Sequence, residues 1–393
     1  MIRVRTLAVC LVGLCAAGCA TLQSWIPAIP TIPVPSFGWL FGKSDKPGPL
    51  PALTPTTTPQ LNWQVNVGKA APGLAPAITA NAIYAAASDG ALVRVDPVSG
   101  RVVWRINAGT RVAAGPGADD ARVVVGTDKG DVLAFDADGN AAWTSRVSSE
   151  VVAPPRIAEG VVVVFSGDGR IYGLNAGDGR TRWVITRTPP ALIIRNTAGG
   201  VTTRGGVFTG TPGGRLLALD ALTGTIGWDA TVATPKGATE LERIADITSL
   251  PYVEERQVCA VAYQGRVACF EIVRGTLLWS RDLSSLTGLA GDGRNLYVTD
   301  DKGSVHALDK ASGASVWKQD VLASRRIGGP QMVGAHVGVV DVEGYLHLLA
   351  TADGTYVGRI ATDGRPPTTQ PELLAGSGLW LSDAGTLFSV TAR

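Results

Sequence analysis

Apolar positions in this chain fall in short runs separated by glycine-containing turns, from Leu61 to the end. Val123-Val124-Val125-Gly126 is continuously apolar, the pattern of a strand buried on both faces. Asp128-Lys129-Gly130-Asp131 then predicts a hairpin turn in which Gly is free to take positive φ. Val132-Leu133-Ala134-Phe135 predicts the returning strand, and a second turn at Asp138-Gly139 leads into a strand carrying Trp143. Upstream, Ala114-Gly115-Pro116 suits a strand crowded against a central axis, where small residues are needed.

The unit repeats. Clear copies run from Gly90 to Trp104, Gly130 to Trp143, Gly169 to Trp183, Gly214 to Trp228 and Gly303 to Trp317. Two are degenerate: Gly265 to Trp279, and Gly344 onward, where Gly358 stands at the tryptophan position. The eighth, at Gly385, runs out at the C-terminus. Successive anchor glycines are 40, 39, 45, 51, 38, 41 and 41 residues apart. A period near forty built from four short strands is how a propeller blade reads. The expected fold is all-β, one eight-bladed β-propeller over residues 61–393. Each tryptophan is expected to wedge between adjacent blades, burying on the order of 200 Å². Segment 61–67 carries Trp63 but has no blade of its own, so it is expected to close the ring by pairing into the last blade, which removes an open edge.

The first 18 residues read as a processing signal. Arg3 and Arg5 give a positive start, 7–14 an apolar core, and Ala16-Ala17-Gly18 a small-residue cleavage site before Cys19. The apolar stretch is far short of the roughly 20 residues of a membrane-spanning helix. The site resembles a bacterial lipobox, with Ala16 where that pattern favours Leu; the resemblance implies that Cys19 becomes the lipidated first residue. An ordinary signal peptide cut near Cys19 is the alternative. Ala20, where Asp would signal inner-membrane retention, points to the periplasmic face of the outer membrane. Residues 19–60 hold nine prolines and read as an extended tether without a core. Trp39, Leu40 and Phe41 within it either touch lipid or a partner, or form an isolated apolar patch.

Charge removes one class of partner. The chain has 35 Lys and Arg against 33 Asp and Glu, and loss of Arg3 and Arg5 leaves the mature part neutral, with no footprint for nucleic acid. Cys259 and Cys269 flank the Gln264-Gly265 turn on consecutive strands. A periplasmic disulfide is open to them, but direct cross-strand bridges are geometrically demanding. Small residues (Ala134, Ala218, Ala307) hold the Cys269 position in other blades. Two buried thiols are therefore expected.

The tryptophan repeat resembles that of the quinoprotein dehydrogenases, which are also eight-bladed. The resemblance implies a scaffold, and fold does not imply function. Those enzymes hold a quinone and calcium with an adjacent cysteine pair that this chain lacks. His306, His336 and His347 lie in strand-like sequence without metal-site spacing. Asp119-Asp120 and Asp300-Asp301 read as turn residues. No catalysis, metal or cofactor is expected. The runner-up is a quinoprotein-like periplasmic redox enzyme, and a third reading is a generic ligand-binding propeller.

The two long spacings, 45 and 51, are consecutive, and both insertions follow a blade tryptophan, so both are expected on one rim of neighbouring blades. Unequal insertions on one face of a repeat protein mark a binding face. The first, 187–196, contains Leu192-Ile193-Ile194 bracketed by Arg187 and Arg195; the second, 235–247, contains Thr239-Glu240-Leu241-Glu242-Arg243-Ile244-Ala245-Asp246. An apolar run in a loop is an unusual thing to leave in water; a buried strand continuation is the plainer reading. With these two motifs, and with 341–347 (Asp-Val-Glu-Gly-Tyr-Leu-His), the chain resembles the BamB family, propeller lipoproteins of the outer-membrane β-barrel assembly (BAM) machine, over essentially its whole length. The resemblance implies a non-enzymatic scaffold whose insertions dock the periplasmic domains of BamA, alongside other BAM subunits. By position, the contacts would be Leu192, Ile194, Arg195 and Asp246, with Asp246 either holding Arg195 or pairing with a basic group on the partner. Where the family has a second acid, this chain has Thr248. Direct binding of unfolded outer-membrane client chains is left open.

Overall fold

The computed structural model describes residues 47–392 except Asn196; Cys19 and the Trp39-Leu40-Phe41 patch lie outside the described residues. Among the described residues there are eight four-stranded antiparallel sheets. Blades 1 to 7 span residues 77–107, 114–146, 156–186, 200–231, 252–282, 289–319 and 331–361, each a meander from an inner to an outer strand. Blade 8 takes its three inner strands from 372–392 and its outer strand, Pro59–Asn66, from the start of the unit. Trp63 lies opposite Ser389 in that pairing. The ring is thus closed by the N-terminal strand, as the orphan Trp63 segment predicts. The compact unit begins at Pro47, so chain that sequence assigns to the tether belongs with the propeller.

Burial follows position within a blade. Val161–Phe165, a second strand, is buried along its whole length, because neighbouring blades cover both its faces. Thr181–Thr186, an outer strand, alternates between exposed and half-buried side chains. The turns between second and third strands lie on one rim together with the connections to the next blade; Arg170 pairs with Thr186 there in blade 3. We call this the upper rim. The turns between third and fourth strands lie on the lower rim.

The tryptophans join blade to blade. Trp104 Nε1 donates to the Ala137 carbonyl at 2.9 Å, Trp143 to Ala176 at 2.9 Å, and Trp183 to Ala221 at 3.0 Å. Trp228 reaches Ile272, Trp279 reaches Lys310, Trp317 reaches Thr351, and Trp63 reaches Pro97 across the closure. Every acceptor lies in the lower-rim turn of the next blade. The glycine of that turn sits against the indole: at Gly313, with φ 71°, a Cβ would lie 2.4 Å from the Trp279 ring. The second glycine of each repeat is therefore set by the tryptophan of the preceding one.

One expectation is corrected. Cys259 and Cys269 form a disulfide rather than two thiols. They face each other directly in the register with Cα atoms 4.0 Å apart, the close spacing of a non-hydrogen-bonded pair. In other blades a larger residue opposes the alanine at this place (Val124 on Ala134, Phe208 on Ala218, Tyr297 on Ala307). Blade 5 divides the same space between two cysteines.

The run 341–347 builds a buried polar cage. Arg325, 1% exposed, donates from Nε to Asp341 Oδ2 at 2.6 Å and from Nη2 to Glu343. Asp341 Oδ1 accepts the amides of Glu343 and Tyr345, and Oδ2 also faces His347 Nε2 at 2.8 Å. His347 Nδ1 meets the Tyr356 hydroxyl at 2.8 Å. Burial pushes the imidazole of His347 below its ordinary value, although its bond to Asp341 works the other way. Burial would raise Asp341, but the His347 bond, the Tyr345 amide and Arg325 hold its carboxyl below the usual carboxylate range.

Two predictions follow from these contacts. Trp279→Ala removes a nearly buried indole and is expected to cost about 3–5 kcal/mol in urea unfolding, whereas Trp279→Phe, which keeps most of the packing but not the bond to Lys310, should cost roughly 1–2. Equal losses would mean that packing does not dominate the junction. The second concerns pH. Unfolded, His347 takes up a proton near its ordinary value of about 6.5; folded, it stays neutral further into acid. Stability therefore falls as pH drops below about 6.5, by up to about 1.4 kcal/mol per pH unit until the folded value is reached. Asp341 adds its loss only at lower pH, through its own depressed value. His347→Gln should flatten the slope just below about pH 6.5 in urea titrations; an unchanged slope would count against this account.

Candidate functional site

Both insertions rise from the upper rim, joining the outer strand of one blade to the inner strand of the next. The first leaves Thr181–Thr186 through one more ladder bond, Arg187 N to Gly169 O at 3.2 Å. Pro189 and Pro190 then end the ladder, since neither can donate to it. The second leaves Ile226–Thr231 in blade 4 and returns at Tyr252–Val253 in blade 5.

The second insertion has two parts. Residues 235–243 are exposed and hold themselves together. Glu242 Oε2 accepts the amides of Ala238 and Thr239, while Thr239 Oγ1 accepts the Glu242 amide at 3.3 Å, a reciprocal capping box. Those backbone bonds, Thr239 first, hold the Glu242 carboxyl below its ordinary value. This turn leaves Leu241 67% exposed. The following residues go inside: Ala245, Asp246 and Ile247 are at most 2% exposed. Ile247 lies over Gly210, where a Cβ would come within 2.2 Å of its Cγ2.

Asp246 therefore does not present its carboxylate to solvent, and Arg195 pairs with Glu150 instead of with it. Its Oδ2 accepts the Ile194 amide at 2.6 Å, and its Oδ1 accepts the Gly213 amide at 2.7 Å. One buried carboxylate from the second insertion thus ties the first insertion to the upper-rim turn of blade 4. Amide donors satisfy it without a counter-charge, as a buried acid requires.

Pinned at Ile194, the first insertion sorts its side chains. Leu192 is 40% exposed and Ile194 half-buried. Ile193, half-buried, lines a pocket of about 350 Å³ between blades 3 and 4, together with Phe165, Ile171, Pro189 and Pro190 among others. Arg195 is exposed and pairs with Glu150 Oε2 at 2.7 Å. Glu150 sits in the connection between blades 2 and 3, a partner that sequence spacing does not reveal. Arg187 and Arg215 share the Asp229 carboxylate at 2.8 Å each, which braces the outer edges of blades 3 and 4 against each other. Thr248 Oγ1 donates to the Leu286 carbonyl at 3.3 Å, so it serves the connection to blade 6.

The apolar run is thus divided: Ile193 at the pocket, Leu192 outward, Ile194 held by its backbone. This is a preformed surface of apolar and guanidinium groups over a pocket. The other acids read as turn residues keep that role. Asp119 accepts the amides of Ala121 and Arg122, and Asp300 those of Lys302 and Ser304.

A family model described as outer membrane protein assembly factor BamB matches residues 61–319. A relative of that name from Nitrosomonas eutropha is 46% identical over 304 residues, covering 77% of this chain and 74% of its own. The crystal structure of BamB from Moraxella catarrhalis superposes with a TM-score of 0.77 at 26% identity, covering 85% of this chain and 99% of that one. The quinohemoprotein alcohol dehydrogenase of Comamonas testosteroni is similar to the chain in fold alone, with a TM-score of 0.66 at 13% identity, over 84% of this chain and 76% of that one.

If Asp246 positions the first insertion, Asp246→Ala should strand the Ile194 and Gly213 amides and cost about 1–3 kcal/mol. Hydrogen exchange at those two amides should accelerate while the blade strands stay protected. Asp246→Asn, which keeps one acceptor oxygen, should fall between. Unchanged exchange at Ile194 in the alanine variant would remove the positioning role.

Proposed function

Because this chain belongs to the family of outer membrane protein assembly factor BamB, we propose that it is a non-enzymatic scaffold of the BAM complex that assists assembly and insertion of β-barrel proteins into the outer membrane. It does so by docking the periplasmic domains of BamA with the insertions of blades 3 and 4. The observation that carries this reading is the division of the first insertion, in which Asp246 holds Ile194 so that Leu192 and Arg195 stay outside. An exposed leucine beside a guanidinium and over an apolar pocket is the composition of an interface hot spot.

In this reading Leu192 and Arg195 touch the partner, and Ile194 and Asp246 fix the loop that presents them. Leu241, exposed on the neighbouring insertion, extends the apolar surface. Cys19 is the lipidated residue that keeps the propeller at the periplasmic face of the outer membrane. The runner-up, a quinoprotein-like redox enzyme, loses its distinguishing feature here. The two cysteines beyond the tether oppose each other across a ladder instead of standing side by side in sequence.

Binding of this protein to the periplasmic domains of BamA tests the site. Leu192→Ala and Arg195→Ala should each weaken it by roughly 2 kcal/mol, about thirtyfold. Arg195→Glu should cost more, since it sets a second acid beside Glu150 and a negative charge against the partner surface. Melting temperatures should hardly move, because the side chains of Leu192 and Arg195 are both exposed. Wild-type affinity in Arg195→Glu would refute the site; affinity lost together with folding would make the run a structural element instead.

A further inference from the structure

The eighth junction of the ring breaks the rule of the other seven. Gly358 takes the tryptophan position in the outer strand of blade 7, opposite Leu348 as Trp317 is opposite Ala307. Blade 8 has no lower-rim turn to receive an indole, because its third strand, Thr386–Ala392, ends the described chain and its fourth comes from the start of the unit.

Chain from before the first strand fills the gap. A Cβ on Gly358 would meet the Thr57 carbonyl oxygen at 2.7 Å and Pro59 Cδ at 3.3 Å. The amides of Thr56 and Thr57 both donate to the Val357 carbonyl, at 2.9 and 3.1 Å. Thr57 Oγ1 lies 3.1 Å from His336 Nε2. Further up the same edge, Arg359 Nη1 donates to the Pro51 carbonyl at 3.3 Å. At the upper rim Arg325 Nη1 donates to the Gly48 carbonyl, and the Gly48 amide donates to Ser324 O at 3.0 Å. Both arginines lie against the Tyr345 ring, 5.9 and 5.8 Å from its centre. Asp341 and Glu343 take the remaining donors of Arg325. The run 341–347, which the docking reading does not use, thus aims two guanidinium groups at carbonyls of segment 47–58.

We propose that segment 47–58 is a strap that replaces the missing tryptophan of the eighth junction and is locked by the 341–347 cage. The strap runs down the outer edge of blade 7, starting from Pro47 on the upper rim. That point is four blades round the ring from blade 3, which carries the first insertion. It shares a rim with the docking surface but lies on the opposite side. Counted from Cys19 to where the clamp begins, the leash is at most roughly 100 Å of extended chain, against roughly 140 Å counted to Pro59. The leash length rests on the reading of Cys19; the clamp does not.

Hydrogen exchange on the full-length protein in detergent, read by peptide, tests the clamp. Peptides covering 47–58 should exchange at least tenfold more slowly than the same sequence as a free peptide. Gly358→Ala, whose methyl displaces the Thr57 carbonyl, should bring that segment to within threefold of the free rate while the strands of blades 1 to 6 stay protected. Free-peptide exchange in the wild type, or full protection in Gly358→Ala, would overturn the proposal. Should Gly358→Ala also loosen the ring, Gly48→Val decides from the strap side, since its Cβ would lie 2.8 Å from the Cβ of Ser324. Loss of protection over 47–58 with the blades intact supports the clamp, and retained protection overturns it. The same measurement on Cys19→Ala should give the wild-type result, so a failed anchor and a failed clamp are told apart.

Discussion

Each blade hands one indole to the next, and the ring depends on that transfer. A single four-stranded sheet cannot cover both of its faces, so no blade is stable until its neighbour is in place. The tryptophan adds direction to the packing: its ring lies on the glycine of the next lower-rim turn and its N–H on a carbonyl of that turn. These contacts tie each blade to its successor at the lower rim. The upper-rim connections take no part in them and are free to vary in length. The insertions after Trp183 and Trp228 fall where variation costs the ring least, which is also where a partner can reach them.

Much of this is legible in the chain. Turn glycines and tryptophans at a near-constant period give the blade, and an unassigned tryptophan at Trp63 gives the closure, because these features repeat and any break in the pattern shows. The insertions are legible for the same reason, as excess length. Unreadable are contacts whose partner is a backbone group. Asp246 looks like a surface acid until the amides of Ile194 and Gly213 are seen to saturate it. No residue type marks an amide as special, so neither spacing nor charge points to it. The partner of Arg195 is hidden differently: Glu150 is an ordinary acid 45 residues away whose relevance exists only once blade 3, which lies between the two in the chain, has folded. Cys259 and Cys269 can be placed on facing strands, but whether their sulfurs meet depends on which kind of ladder pair they occupy.

Asp246, Asp341 and Asp229 show one device put to different ends. A carboxylate withdrawn from water is costly unless its oxygens are met by donors; Asp246 and Asp341 are buried and Asp229 is half-buried, and each is met from two separate parts of the chain. Asp246 joins a loop to a turn, Asp229 joins two arginines of adjacent blades, and Asp341 joins an arginine, a histidine and its own hairpin. The repeat core is mostly apolar. These polar ties are specific to one geometry, and they occur where the repeats depart from their common pattern.

That coincidence says where the individuality of a repeat protein resides. Seven junctions are alike and need only a tryptophan, a glycine and a carbonyl. The eighth cannot be alike, because closing the ring with Pro59–Asn66 leaves no turn between the third and fourth strands of blade 8 for an indole to meet. Gly358 is thus no decayed tryptophan: a side chain there would strike the Thr57 carbonyl. The sequence that looks most degenerate by the standard of the repeat is the one fitted to the seam, and the polar run beside it, 341–347, is what holds the seam shut.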